Sequence, residues 1–223
     1  MYRIESIKKA YGKNQVLSDV SFSVAKGECI GLLGLNGSGK STLLNILAGC
    51  IRADSGRCYF ENENGKIAFL PQENPLIDEL SCMDNIKLWF QGKTKDIWSE
   101  KNKELFSKLG VDAFIHKRVK DLSGGMKKRL SLAITMMSEP DLLLLDEPLA
   151  ALDMLCKNGI LSYLKDWLSS GGSIILATHE TAALDICTSI YSLHEGNVTP
   201  VNKGDEKSRP QSEQDYMDIL LRK

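Results

Sequence analysis

The chain has 223 residues, long enough for one large domain, or a domain carrying an inserted lobe, with a sizeable core. Hydrophobic residues make up 43% and charged residues 26%, the balance of a soluble globular protein. A net charge of −1 argues against a strongly basic face that would hold nucleic acid through its phosphates, so no direct nucleic-acid partner is expected.

In chain order, the opening MYRIESIKKAYG lacks the apolar core of a signal peptide. Val20, Phe22 and Val24 alternate with Ser21 and Ser23, the period of a half-buried strand. Lys26-Gly27-Glu28 turns into Cys29 to Leu33, a short apolar strand that runs into a glycine-rich loop. Leu43, Leu44, Ile46 and Leu47 give a helix over Ser41 to Ala48, which Gly49 stops. Residues 57–60 and 67–70 read as short strands around a turn at Asn62 to Gly65. From about Leu80 to Met137 the pattern is helical. Ser81 and Asp84 resemble a capping box that opens a helix over Asn85 to Gln91. Glu100 to Leu109 follows, and a third helix runs from near Ser123 through Lys127, Lys128 and Arg129 to Met137. Beyond Pro140 come an apolar run at 142–145, a helix over about 154–169, an apolar run at 173–177 and a helix over about 180–187. A hairpin then turns at Glu195-Gly196-Asn197. The tail after Asn202 is polar, with a short amphipathic turn or two at Tyr216 to Leu221.

Strands alternating with helices imply an α/β fold with a mostly parallel sheet, here preceded by antiparallel β elements. The expected organisation is one domain over 1–203, an α-helical subdomain inserted in it at about 75–138, and a polar tail over 204–223. Apolar runs such as Leu142 to Leu145 fall far short of the ~20 residues that cross a bilayer, so the chain is not expected to span a membrane itself. Cys29, Cys50, Cys58, Cys82, Cys156 and Cys187 form no CxxC pair and have no histidine at ligand spacing. They read as reduced thiols of a cytosolic protein.

Residues 34–42 read GLNGSGKST, a match to GxxxxGK[ST] after an apolar strand and before a helix. Gly34, Gly37 and Gly39 let the backbone close on a phosphate, with Asn36 and Ser38 in the same loop, and the helix N-terminus adds unpaired N–H groups. Lys40 is expected to reach the β and γ phosphates; Ser41, followed by Thr42, is expected to hold Mg²⁺ through its hydroxyl. The dinucleotide fingerprint GxGxxG is absent from this loop, so a nucleoside triphosphate is the expected ligand. Leu142 to Leu145 then ends in Asp146-Glu147-Pro148. Ligands of open α/β sheets sit at the carboxyl ends of strands, so Asp146 is placed to support Mg²⁺ opposite Ser41. Glu147 is placed to take a proton from an attacking water.

Many unrelated machines share this phosphate loop. Leu122-Ser123-Gly124-Gly125-Met126 narrows the choice. It resembles the LSGGQ signature of the ABC ATPases, and the order and spacing from Ser123 through Asp153 are similar to that family's. The resemblance extends over about residues 2–200. Ser123 caps a helix start flanked by two glycines, a second anion site in the same chain. The resemblance implies an ATP- and Mg²⁺-dependent ATPase working as a homodimer or paired with a second ABC ATPase. Two chains pack head to tail, with each ATP between one cradle and the other chain's Ser123, Gly124 and Gly125.

The resemblance also implies that Tyr11 stacks on adenine, that Gln72 senses Mg²⁺, the γ phosphate and the membrane partner, and that His179 contacts the γ phosphate. Ala151-Leu152-Asp153 resembles the loop that crosses the dimer interface. Met126 stands where the family usually has glutamine, and Ala150-Ala151 where it often has Ser-Gly or Thr-Gly. These departures put in doubt one polar contact to nucleotide and one hydroxyl bond, but leave Lys40, Asp146, Glu147 and His179 intact. His116 and His194 read as surface residues.

The implied function is the ATP-hydrolysing subunit of a transporter. It would be cytoplasmic, peripheral on the inner face of the cell membrane through a separate integral membrane subunit. The alternative is a soluble ABC-type ATPase acting in translation, DNA repair or cofactor assembly. The short cassette, the GGMKKRL helix and the lack of a C-terminal regulatory domain resemble small bacterial export cassettes.

Overall fold

The computed structural model describes residues 1–62, 64–90 and 92–201. Its elements in order are β1 (Tyr2–Tyr11), β2 (Asn14–Val24), β3 (Cys29–Leu33), α1 (Lys40–Leu47), β4 (Ser55–Phe60), β5 (Ile67–Leu70), α2 (Cys82–Trp89), α3 (Glu100–Lys108), α4 (Gly124–Met136), β6 (Leu142–Asp146), α5 (Met154–Ser169), β7 (Ser173–Ala177), α6 (Thr181–Leu184), β8 (Ser189–His194) and β9 (Asn197–Pro200). The strands form one sheet in the order β4-β1-β2-β9-β8-β3-β7-β6-β5. Strands β5, β6, β7, β3 and β8 run parallel, and β1 pairs antiparallel with both β2 and β4. This is the mixed α/β architecture expected.

The central strands are buried on both faces, as parallel strands covered by helices must be. The period of two divides their side chains between two cores. Ile30, Leu32, Leu142, Leu144, Ile175 and Ala177 pack with Leu43, Leu44 and Leu47 of α1 and with Ile4, Ile7, Leu17 and Val20 of the antiparallel layer. Leu143, Leu145, Ile174 and Leu176 face the other way, onto Ile86, Phe106, Leu130, Ile160 and Leu184 from the remaining helices. Helix α1 is thus clamped between two β layers, which fixes the loop that precedes it. The three helices α2, α3 and α4 lie between β5 and β6, which are adjacent in the sheet, so the chain leaves at Leu70 and returns to the neighbouring strand at Leu142.

Several local expectations need correction. Residues 57–60 and 67–70 do not form a local pair: β4 joins β1 at one edge of the sheet and β5 joins β6 at the other. The helix expected over Asn85 to Gln91 begins at Cys82, because Ser81 is its N-cap; Gln91 lies outside the described residues. The helix expected over 180–187 is the single turn Thr181–Leu184, after which the Thr188 amide must reach Cys29 O at 2.7 Å to start β8. The hairpin at Glu195-Gly196 joins β8 and β9, with positive φ at both residues as a type I′ turn requires. The tail over 204–223 and the turn at Tyr216 to Leu221 lie outside the described residues. No described helix is long and apolar enough to cross a membrane.

Candidate nucleotide site

The site is built outward from β3, whose five buried residues deliver the chain to Gly34. A Cβ on Gly34 would stand 2.8 Å from Leu193 O, and one on Gly39, at φ 106°, would stand 2.9 Å from Val16 Cγ1. Only glycine lets the loop lie this flat against the strands beneath it. Helix α1 then starts at Lys40 with no side-chain cap, whereas Ser81, Ser99, Ser123 and Asp153 each cap the helix that follows them. The first-turn amides of α1, including those of Ser41 and Thr42, therefore face the loop as donors for an anion. Lys40 Nζ donates to Gly34 O at 2.7 Å and to Leu35 O at 3.3 Å, so the loop curls around its ammonium. Burial pushes the Lys40 pKa down, and the nearby Glu147 and Asp146 carboxylates act in the opposite direction. Asn36 is exposed, and Ser38 Oγ is buried without a protein partner.

Strands β6 and β7 end beside this loop. Asp146 is in register with Ala177, and the Glu147 amide donates to Ala177 O at 2.9 Å. Glu147 has φ 48°, a left-handed conformation costing a non-glycine residue roughly 1–3 kcal/mol. That bend turns its side chain inward. Glu147 is 6% exposed and Asp146 3%, and Glu147 Oε2 and Asp146 Oδ1 lack any hydrogen-bond partner. Glu147 Oε1 lies 2.9 Å from His179 Nδ1. Buried Thr178 accepts the Glu180 amide at 3.0 Å, making the turn that carries His179 over Glu147. Glu180 is itself held 2.6 Å from Lys157 of α5.

Gln72 lies just beyond β5, the neighbour of β6, and is exposed; its carbonyl accepts Lys128 Nζ at 2.9 Å. Tyr11 ends β1 at 50% exposure, on a hairpin whose return strand sets Val16 against Gly39. The structure thus brings Gly34 to Thr42, Asp146, Glu147 and His179 together, with Gln72 and Tyr11 at the margins. Ser123, Gly124 and Gly125 sit elsewhere. Ser123 Oγ accepts the Met126 amide at 3.3 Å, and Cys156 Sγ of α5 lies 3.6 Å from Gly125 O. Ser123 and Gly125 line a cavity of about 290 Å³ with Arg129 and Asp153. Next to it Met154 and Leu155 are exposed, at 68% and 87%. Ala151, in the position that the resemblance gives to glycine, has φ 58°, the left-handed conformation glycine takes without strain. His116 and His194 are exposed. Sequence reasoning missed Glu180, Lys157 and Lys128, whose contacts join distant elements, and Thr178, whose hydroxyl holds the amide two residues on.

The family model described as ABC transporter matches residues 17–150. The linearmycin resistance ATP-binding protein LnrL of Bacillus subtilis is 31% identical over 213 residues, covering 90% of this chain and 68% of its own length. The lantibiotic transport ATP-binding protein SrtF of Streptococcus pyogenes is 32% identical, covering 89% of each. The molybdate/tungstate import ATP-binding protein WtpC of Pyrococcus abyssi is 36% identical over 177 residues, covering 75% of this chain and 51% of its own length. Among solved structures, an ATP-binding subunit of an ABC transporter superposes with TM-score 0.82 at 25% identity, covering 100% of both chains. The dimeric bacterial ABC transporter cassette MJ0796 superposes with TM-score 0.77 at 26% identity, covering 89% of this chain and 96% of its own.

Proposed function

Because the chain belongs to the ABC transporter family, as an ATP-binding subunit that hydrolyses ATP, we propose that two copies, or one copy and a second ABC ATPase, enclose ATP between them and drive a separate membrane subunit. One observation carries this reading. Two buried carboxylate oxygens without protein partners, Asp146 Oδ1 and Glu147 Oε2, stand at strand ends beside a glycine loop whose helix is uncapped. Leaving such atoms unpaired costs about 1–3 kcal/mol each, and a ligand that supplies the missing partners recovers that cost.

Gly34 to Gly39 and the first-turn amides of α1 wrap the phosphates. Lys40 exchanges the Gly34 and Leu35 carbonyls for β- and γ-phosphate oxygens. The oxygen donors fit Mg²⁺, a hard cation: Asp146 Oδ1 and the Ser41 hydroxyl would hold it, with Gln72 at the margin. When bound, the ion neutralises charge on the phosphates. Glu147 keeps Oε1 against His179 and has Oε2 free to accept a proton from the attacking water. His179, 56% exposed at its side chain, contacts the γ phosphate. Tyr11 stacks on adenine. The second half of each site comes from the other chain: the capped start of α4 at Ser123, Gly124 and Gly125, with the loop before Asp153 along the interface. The separation of these residues from their own chain's cradle supports this, as does the likeness to a cassette described as dimeric.

The segment 75–138 acts as an inserted helical lobe on the domain 1–203. Its exposed Ile77, Leu88 and Trp89 suit an integral membrane partner at the inner face of the membrane. Proteins named for import lie at the same level of identity as those named for resistance or lantibiotic transport. The direction therefore rests on the GGMKKRL helix, which favours export.

Fractionation tests the transport reading. The untagged chain should sediment with membranes and leave them in detergent together with a multi-span protein. A chain that stays soluble and copurifies with ribosomes or DNA would replace this reading with the non-transport alternative.

A further inference from the structure

Helix α4 carries three consecutive basic residues, Lys127, Lys128 and Arg129. Each is tied to a different place. Lys127 Nζ pairs with Asp78 Oδ1 at 2.8 Å. Arg129 Nη1 donates to Leu109 O at 3.2 Å, with its guanidinium over the Phe114 ring. Lys128 is 4% exposed, and its ammonium donates to Gln72 O at 2.9 Å and Pro71 O at 3.5 Å; among the described residues no carboxylate forms an ion pair with it. Burial pushes its pKa down, and Asp146 is the charge that opposes this.

A buried ammonium held by carbonyls is costly, and an apolar side chain of the same length would fill the space at lower cost. What the lysine adds is connection. Its helix begins at the signature residues Ser123 to Gly125, whereas the carbonyls it holds open the segment 71–78, which Lys127 fastens at its far end through Asp78. We propose that Lys128 is a positioning residue that hangs the Gln72 loop on the signature helix, so that the two half-sites carried by one chain move together. This rests on the shared-site reading above. When α4 engages the nucleotide held by the other copy, Lys128 draws Gln72 into register with its own chain's Asp146 and cradle. Occupancy of one site is thereby communicated to the other.

The test measures ATP hydrolysis against ATP concentration in the full chain, together with thermal midpoint and nucleotide affinity. Lys128→Met keeps the length and removes both hydrogen bonds; Lys128→Gln keeps a neutral donor. The wild type is expected to approach the two-site Hill limit of ~2, and Lys128→Met to fall toward ~1 with reduced kcat. Its thermal midpoint should not be lowered, and its affinity for a first ATP should be unchanged. Lys128→Gln should recover cooperativity. Wild-type cooperativity in Lys128→Met would overturn the proposal. So would a joint fall in thermal midpoint and first-ATP affinity, which marks a structural role, or a Lys128→Gln variant no better than Lys128→Met. A wild type that hydrolyses ATP with a Hill coefficient of ~1 would instead remove the shared-site reading, and this proposal with it.

Discussion

Glu147→Gln is expected to abolish most turnover while leaving ATP binding intact. The substitution is nearly isosteric in a pocket where Glu147 is 6% exposed, so neither packing nor the path of the chain should change. What it removes is a base. Oε2 is the atom free to accept a proton, since Oε1 already faces His179 Nδ1. Loss of general-base catalysis lowers the rate by about 10²–10⁴, which corresponds to roughly 3–5 kcal/mol of barrier. Affinity should hold or improve, because the substitution takes one negative charge away from a site that receives a triphosphate. Phosphate release and calorimetric titration with ATP measure the two effects separately. Phosphate release within twofold of the wild type, or loss of ATP binding, would contradict the assignment.

Lys40→Ala should do the opposite, weakening binding before chemistry is reached. Hydrogen bonds to charged groups contribute about 1.5–3 kcal/mol, so its removal should raise the Kd for ATP roughly ten- to 150-fold. The fold should tolerate it. The variant loses the bonds to Gly34 O and Leu35 O, but it also removes the ammonium of a residue only 7% exposed, whose desolvation those bonds had to offset. Circular dichroism melting separates the outcomes: an unchanged melt with weak binding supports a phosphate-holding Lys40. An unchanged Kd would remove Lys40 from the site.

The phosphate loop was legible because its requirements are local. Glycines at 34, 37 and 39, a buried strand before them and a helix after them all fall within a few residues of one another. The cap at Ser123 was legible for the same reason, since its side chain bonds an amide three residues on. Asp146 and Glu147 could be placed because the apolar run 142–145 ends in them, and strand ends are where ligands sit. Pairing between distant strands was not legible. Residues 57–60 and 67–70 are neighbours in sequence yet lie at opposite edges of the sheet, because β1 recruits the first and β6 the second. The first strand escaped notice for a physical reason too: Ser6 at φ 49° and register shifts along β1 break the alternation that marks a strand.

The supporting residues of the site were hidden by another kind of distance. Lys157 and Glu180 meet at 2.6 Å across 23 residues, and Lys128 reaches Gln72 across 56. Nothing in a run such as Lys127-Lys128-Arg129 distinguishes the lysine that is buried from the one beside it.

The shared nucleotide site is tested most directly by sedimentation velocity of Glu147→Gln, with absorbance detection of bound nucleotide, with and without saturating Mg-ATP. The expected result is a single chain without nucleotide, and with it a species of twice the mass carrying two ATP. A single chain that has taken up one ATP and stays single would contradict a site divided between two copies.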